Sequence, residues 1–137
     1  VSLRTGRLTL HRPARALAKG EGIVWTAWLG RHRLGVGGKV VDVRTWRARA
    51  LAAGATRVAG SGSVLVAFGG NGATIVRGAT RTHVLGDEPV DEGWVAGDSF
   101  YAGVGAATDV VDLRTGVRTR IVLRRLELLG LEPRRPW

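Results

Sequence analysis

The chain has 137 residues, a formal net charge of +10 and no cysteine, so disulfides, thiolate metal sites and cysteine nucleophiles are excluded. Its length fits one domain, and a hydrophobic content of 45% argues against disorder. The 21 glycines against 4 prolines, with Val and Thr spread throughout, favour an all-β chain with many tight turns. The longest apolar run, residues 23–29, is far shorter than the roughly 20 residues that a membrane-spanning helix needs.

Arginine dominates the basic residues, since Lys19 and Lys39 are the only two lysines among 21 basic residues. A strongly GC-biased coding sequence gives this skew, so the charge by itself is weak support for a nucleic-acid partner. The compartment stays open, an extracytoplasmic one included, because no signal peptide is visible and the absence of Cys does not decide it.

In chain order, an apolar residue followed by Arg recurs at regular intervals. The segments are VSLRTGRLTL at residues 1–10, VVDVRTWRARAL at 40–51, TIVRGATRTHVL at 74–85 and VVDLRTGVRTRI at 110–121. Their apolar anchors are 40, 33 and 37 residues apart: Leu3, Val43, Val76 and Leu113. A period of this length predicts repeated supersecondary units.

Each unit is predicted to form four short strands separated by turns rich in Gly, Asp or Thr. In the last unit the predicted strands are Gly93–Gly97, Phe100–Val104, Thr108–Leu113 and Val117–Leu123. Four-stranded units that repeat at this interval are typical of the β-propeller.

The turn between the third and fourth strands has its own signature. Asp112 can accept hydrogen bonds from turn amides, and Gly116 can adopt the positive φ that closes a type I turn with a bulge. Trp46 takes the place of this glycine in the earlier copy. Because a bulky residue is strained at positive φ, the sequence predicts a different turn there.

The stretch FYAGVGAATDVVDLRTGVRTRIV, residues 100–122, resembles the blade pattern of YVTN-type and pyrroloquinoline-quinone-type (PQQ-like) propeller repeats. The resemblance extends over about residues 1–123 and is specific only in the last unit. It implies an all-β, β-propeller-like fold of about three and a half four-stranded antiparallel blades. The Trp-bearing fourth strand and the cofactor ligands of the quinone-type family are absent from the sequence, so the resemblance implies the fold and not the chemistry.

The implied domain is a partial β-propeller over residues 1–123, followed by a C-terminal tail, 124–137. It divides into a half blade, 1–12, and blades at about 20–52, 55–86 and 91–123. Since propellers close with roughly four to eight blades, we expect an open, partial propeller.

The two ends of such an arc are expected to expose apolar side chains, because repeat units are stabilised by their neighbours. The side chains concerned are Leu3, Leu8 and Leu10 at one end and Trp94, Phe100 and Tyr101 at the other. The expected partners are therefore a protein or missing propeller blades, and the chain is expected to self-associate.

The predicted fourth strands alternate charged with small or apolar side chains, as at Arg47, Arg49, Arg118 and Arg120. Such alternation places one face in water, and charges on an edge strand discourage aggregation. We therefore predict exposed edge arginines and no nucleic-acid partner, whose binding modules interleave aromatics with cations. The aromatic residues are predicted to pack between blades instead: Trp25, Trp28, Phe68, Trp94, Phe100 and Tyr101.

One end of the predicted blades gathers the glycine-rich hairpins and the acidic loop GDEPVDE, residues 86–92. Because functional residues tend to lie on loops that a scaffold positions, this loop face is the predicted binding surface. The candidate partner-binding residues are Asp87, Glu88, Asp91, Glu92, Lys39 and Asn71. For the four acidic side chains the alternatives are a solvated loop, a hard-cation site and a contact with a basic partner.

No catalytic, cofactor-binding or metal-binding residue is assigned, and no cofactor is expected. The histidines His11, His32 and His83 lack metal-ligand spacing, and no serine lies in a G-x-S-x-G motif. The sequence favours a non-catalytic β-propeller module that binds a protein or other ligand through its loop face. The alternative is a fragment of a propeller enzyme, of the quinone-dependent dehydrogenase, lyase or hydrolase type, whose catalytic residues lie outside this chain.

Overall fold

The structure, a computed structural model, describes residues 25–122. This part is all-β, as predicted, with twelve strands and no helix between its bounds. The predicted half blade 1–12, with Leu3, Leu8 and Leu10, and the tail 124–137 lie outside the described residues. No helix long and apolar enough to cross a membrane occurs in the described range.

The strands form three four-stranded antiparallel sheets, each built from four consecutive strands. Sheet 1 comprises β1 (Thr26–Gly30), β2 (Arg33–Val36), β3 (Lys39–Asp42) and β4 (Arg47–Ala50). Sheet 2 comprises β5 (Ala55–Ser61), β6 (Val64–Gly69), β7 (Gly72–Arg77) and β8 (Thr80–Val84). Sheet 3 comprises β9 (Glu92–Ala96), β10 (Ser99–Val104), β11 (Ala107–Asp112) and β12 (Arg118–Val122). The strands predicted for the last unit are confirmed to within one residue at each end.

The repeat is more regular in the structure than the sequence anchors indicate. The third strands end at Asp42, Arg77 and Asp112, which are 35 residues apart in both intervals. Val76 therefore corresponds to Val111 and not to Leu113. The apolar-Arg anchor of the third segment is therefore out of step with the other anchors. The reason is that sheet 2 joins its third and fourth strands through only two residues, whereas sheets 1 and 3 use longer turns.

The turn after β11 has the predicted geometry. One Asp112 carboxylate oxygen accepts hydrogen bonds from the backbone N–H groups of Arg114, at 2.8 Å, and Thr115, at 3.0 Å. Gly116 has φ of 74°, and its N–H donates to the Asp112 carbonyl at 2.8 Å. The turn amides also lower the pKa of Asp112 below its usual value.

The prediction of a different turn at Trp46 is wrong. Trp46 adopts φ of 57°, and its N–H donates to the Asp42 carbonyl at 2.6 Å, as Gly116 does in sheet 3. The Asp42 carboxylate accepts from the Arg44 N–H at 2.8 Å. Because the aspartate and the backbone make these hydrogen bonds in both copies, the turn keeps its shape and Trp46 takes the strained conformation.

The three sheets follow one another in chain order, since β5 contacts both β1 and β9. We call the side of a sheet that faces the next sheet along the chain its forward face, and the opposite side its backward face. At the first junction, Val40 on the forward face of sheet 1 joins one buried cluster with Leu65 and Val76 on the backward face of sheet 2.

At the second junction, Val66 and Ile75 on the forward face of sheet 2 cluster with Phe100 and Val111 on the backward face of sheet 3. The rings of Phe68 and Phe100 lie 5.4 Å apart between their centroids. The predicted packing of aromatic side chains between neighbouring four-stranded units is confirmed for these two residues.

The predicted exposure of Phe100 is wrong and that of Trp94 is confirmed. Phe100 is 0% exposed because it lies on the backward face of sheet 3, against sheet 2. Trp94 is 51% exposed, and it stacks on half-buried Tyr101 with ring centroids 5.4 Å apart. These two residues are cross-strand neighbours on the forward face.

Candidate binding surfaces

The hairpins and links predicted to share one face meet at one end of the sheets, which we call the loop end. Its link 85–91 crosses two hairpins, because Val90 N–H donates to the Gly69 carbonyl and Asp91 N–H to the Gly103 carbonyl, both at 2.9 Å. The β2–β3 hairpin abuts the start of β5 there. A Cβ on Gly38 would lie 1.8 Å from the Ala55 carbonyl oxygen, so only glycine fits.

Two of the six predicted binding residues, Asn71 and Asp87, line a single cavity of about 350 Å³ at the loop end. Thr74 and His83 line it too. The His83 ring nitrogens lie 3.2 Å from the Thr74 hydroxyl and 2.8 Å from the Gly86 carbonyl oxygen. Since a carbonyl can only accept, Nε2–H donates to the Gly86 carbonyl, and in the neutral ring Nδ1 then accepts from the Thr74 hydroxyl. Both ring nitrogens are therefore engaged within the chain.

A third predicted residue, Glu88, takes part in an ion-pair network with sheet 3. Its carboxylate lies 3.0 Å from the guanidinium of Arg118 and 2.6 Å from that of Arg120. Both arginines also contact Asp109, at 2.9 Å and 2.7 Å. We call these four residues the Asp109 network. Glu88 thus connects the loop end to the outer strand of its own chain.

The network sets the ionisation of its carboxylates. Asp109 is 0% exposed, and hydrogen bonds from Arg120, aided by the charge of Arg118, lower its pKa despite burial. Hydrogen bonds from the same two arginines lower the pKa of Glu88, and the pKa of Arg120 is raised. The sequence analysis missed this network, although the hairpin predicted around Asp112 already sets Asp109 opposite Arg120 in the register; only the packing of the link 85–91 brings Glu88 to them.

The other three predicted residues, Lys39, Asp91 and Glu92, are exposed and lie outside the Asn71 cavity. Among residues 25–122, no three His, Asp or Glu side chains gather closely enough to bind a metal ion. The structure therefore distributes the six predicted residues over a cavity, an ion-pair network and open surface.

Arginines also connect neighbouring sheets, a role that the sequence analysis did not predict. Arg33 of sheet 1 donates to the Gly62 carbonyl of sheet 2, and Arg81 of sheet 2 donates back to the Leu51 carbonyl. Arg77 donates to the Leu113 carbonyl at 3.1 Å. The four arginines predicted to be exposed on outer strands are exposed, Arg47, Arg49, Arg118 and Arg120.

A second concave surface, the inner groove, runs along the first strands of the three sheets, β1, β5 and β9. Its volume is about 430 Å³, and three tryptophans and one arginine line it: Trp25, Trp28, Trp94 and Arg57. The Arg57 guanidinium carbon lies 3.8 Å above the ring centre of Trp25, which is a cation–π contact. Trp25 and Trp28 are 54% and 68% exposed.

The prediction that the tryptophans pack between blades is therefore wrong for Trp25, Trp28 and Trp94. The three tryptophans lie in or next to first strands, whereas the buried Phe68 and Phe100 lie in second strands. Sequence analysis also had no means of placing Arg57 against Trp25, 32 residues away.

Comparisons with protein-family models, with curated proteins and with solved structures found no match for the chain.

Proposed function

We propose that the protein is a non-catalytic binding module of the β-propeller kind, and that its ligand is an extended segment of a partner protein. The three sheets would then be successive blades of the YVTN or PQQ-like type. The observation that carries the proposal is the inner groove, where exposed tryptophans converge with Arg57 on one concave surface.

The chemistry of the inner groove favours an acidic segment with apolar side chains. Among the described lining residues Arg57 is the one charged side chain, and none of them carries a carboxylate. Exposed tryptophans offer large apolar contact areas of the kind that dominate protein interfaces. An Asp or Glu of the partner would meet Arg57, and a neighbouring apolar side chain would lie against Trp25.

The backbone of the inner groove favours an extended conformation for that segment. The first strands are edge strands of their sheets in the described part of the chain. Consecutive residues of β1 and of β5 border the groove, Thr26–Leu29 and Arg57–Ser61, so peptide groups as well as side chains are offered. An extended peptide can hydrogen-bond to such an edge while its side chains enter pockets.

A random-peptide display library against the immobilised 137-residue chain tests the proposal. We expect enriched peptides to carry Asp or Glu next to Trp, Phe or Leu, and to bind with a Kd measurable by tryptophan fluorescence. Trp25→Ala and Arg57→Gln should each weaken binding by about tenfold or more. Asn71→Ala, in the loop-end cavity, is the matched control and should leave the Kd unchanged.

The loop face, which the sequence predicts as the binding surface, is the competing surface in the same experiment. Binding that Asn71→Ala or Asp87→Asn abolishes, and that Trp25→Ala leaves intact, would place the ligand at the loop end and reject the inner groove. Failure to enrich any peptide over the library background would reject a peptide ligand. The enzyme-fragment alternative stays a prediction, because no observation on these residues favours a reaction.

A further inference from the structure

A further cavity, of about 240 Å³, opens at the junction between sheets 1 and 2. It lies at the end of the sheets opposite the loop end, since the β5–β6 and β7–β8 hairpins contribute Ser63 and Gly78 to it. Its floor, Leu65 and Val76, is buried, and its rim is polar. We call it the arginine cavity, and its lining residues are Arg33, Arg49, Ser63, Leu65, Val76 and Gly78.

The register of sheet 1 directs three arginines toward this junction. Arg49 lies opposite Val40, whose side chain is on the forward face. Asp42, two positions after Val40, lies on the same face, with Arg33 opposite it in one neighbouring strand and Arg47 in the other. All three arginines therefore project from the forward face toward sheet 2, and Arg33 and Arg49 line the cavity.

None of the three arginines forms an ion pair with a residue in the range 25–122. The acid in their own row, Asp42, is paired with Arg44 at 2.9 Å. Arg33 is half-buried and donates to the Gly62 carbonyl. A guanidinium has five N–H groups, so donors of Arg33 remain for another acceptor. Because a partly desolvated charge without a counter-charge is unfavourable, an anion bound here would stabilise the junction.

Packing one sheet on the next does not require these arginines, as the second junction shows. In sheet 2 the same positions relative to the third strand hold Val64 and Thr82, which carry no charge. Two arginines at the second junction belong to the Asp109 network, whose two carboxylates neutralise them. The first junction thus has an excess of positive charge that no residue in the described part of the chain neutralises.

From the cavity and its charge we infer that the arginine cavity binds the phosphate group of a small ligand. Guanidinium groups donate pairs of hydrogen bonds to phosphate oxygens, and the Ser63 hydroxyl can donate another. A phosphate monoester carries a charge of roughly −1.5 to −2 at neutral pH, which matches two guanidinium groups, whereas a carboxylate would neutralise only one. The buried floor lowers the local dielectric constant, which strengthens the attraction.

The size and place of the cavity restrict the ligand. Its volume of about 240 Å³ is below the roughly 300–1,000 Å³ of pockets for drug-sized molecules, so it fits one phosphate group with a short organic substituent. None of its described lining residues belongs to a first strand, whereas the inner groove runs along the first strands. The inference is therefore separate from the peptide ligand proposed above.

Isothermal titration calorimetry of the complete chain with phenyl phosphate, at about 0.15 M salt, tests the inference. We expect a single site with a Kd of about 1 mM or tighter. Acetate, which carries one charge, should bind at least about tenfold more weakly. If phenyl phosphate shows no binding up to about 10 mM, or if acetate binds equally well, the phosphate site is rejected.

Two substitutions on one strand separate the cavity from the general charge of the surface. Arg49→Gln removes a guanidinium of the cavity and should weaken phenyl phosphate binding by about tenfold or more. Arg47→Gln is the matched control, because it removes the same charge from the same face and strand but lies outside the cavity. It should change the Kd by less than about threefold, since salt screens a more distant charge. Equal losses in the two variants would show that overall charge attracts the anion, and the inference would be wrong.

Inorganic phosphate and a single-stranded DNA of about 20 nucleotides identify the source of the phosphate group. Inorganic phosphate should compete with phenyl phosphate for the same site. The DNA should bind more weakly than phenyl phosphate, because each phosphodiester carries a single charge. DNA binding that is tighter, and that Arg49→Gln abolishes, would reject a small ligand in favour of a polynucleotide.

Arg57→Gln distinguishes this inference from the proposed function. It should weaken peptide binding and leave the Kd for phenyl phosphate unchanged, and Arg49→Gln should do the reverse. Loss of phenyl phosphate binding in Arg57→Gln, with Arg49→Gln unaffected, would place the anion in the inner groove and reject the arginine cavity. Circular dichroism shows whether each variant has kept its β structure. If Arg49→Gln unfolds, Ser63→Ala in the exposed hairpin replaces it and should weaken binding by about threefold.

Discussion

Sheets 1 and 3 contain two copies of one motif, but their outer strands direct arginine to opposite faces. Arg49 in sheet 1 lies opposite Val40, on the forward face. Arg118 and Arg120 in sheet 3 lie opposite Val111 and Asp109, on the backward face. The two Arg-x-Arg segments start at different distances from the shared turn, Arg47 directly after it and Arg118 one residue later. Because side chains alternate between the two faces of a strand, an offset of one residue moves the arginines to the opposite face.

This offset gives the two arginine pairs different roles. Arg118 and Arg120 reach Asp109 and Glu88, and so connect sheet 3 to the link from sheet 2. Arg47 and Arg49 make no ion pair with any residue in 25–122 and remain exposed. The prediction of edge charges thus describes sheet 1 well, whereas in sheet 3 the same pattern of residues forms a connection between sheets.

The largest expected effect compares a fully buried position on the backward face of sheet 3 with a half-buried one on the backward face of sheet 1. Phe100→Ala should lower the free energy of unfolding by about 3–5 kcal/mol, since Phe100 fills the junction with sheet 2. Leu34→Ala changes the corresponding, half-buried position of sheet 1 and should cost about 1 kcal/mol. Urea unfolding at low protein concentration measures both. Equal losses would contradict the distinction between the two faces.

The second effect concerns the Asp109 network. Asp109→Asn should lower the free energy of unfolding by about 2 kcal/mol, because the amide group faces arginine donors where a carboxylate accepted. Asp42→Asn is the control in sheet 1. Within residues 25–122 Asp42 forms an ion pair only with Arg44 in its own turn, which lowers its pKa to about 2, and its side chain is 30% exposed. If Asp42→Asn lowers the free energy of unfolding as much as Asp109→Asn does, the Asp109 network contributes no more to stability than a turn aspartate.

The pH dependence of thermal stability tests whether the contribution of the Asp109 network is ionic. The pKa values of Asp109 and Glu88 are lowered in the folded chain, so both carboxylates bind protons less readily there than in the unfolded chain. Their stabilisation is fully present above the unfolded pKa values, about 4, and is lost as pH falls through the lowered values. The difference in Tm between the native chain and Asp109→Asn should therefore shrink below about pH 4. A difference that stays constant to about pH 2 would contradict the ionic origin.

The smallest effect compares the turns of the two sheets. Gly116→Ala should cost about 1 kcal/mol, since alanine is strained at a φ of 74° although its Cβ has room. Gly103→Ala, where a Cβ would make ordinary contacts at 3.6 Å or more, is the control and should be nearly neutral. Thermal unfolding measures both. A neutral Gly116→Ala would show that a side chain costs nothing at this position of the turn, and would contradict the strain assigned to Trp46 in sheet 1.

The sequence by itself determined the features that depend on residues close together in the chain. The strands of the last unit follow from period-two patterns and glycine turns, and they are predicted to within one residue. The Asp112 turn follows from one carboxylate and one glycine within five residues. These features depend on local hydrogen bonds and φ preferences, which neighbouring residue types reveal.

Only the tertiary structure decided which face of each strand meets another sheet. The packing of the sheets buries Asp109 with its two arginines, brings Glu88 to Arg118 from 30 residues away, and leaves three tryptophans in an open groove. At Trp46 the hydrogen bonds of the turn impose a positive φ, although a bulky side chain disfavours that conformation. Contacts of this kind depend on the whole packed assembly, since each sheet is stabilised by the surface that its neighbour presents.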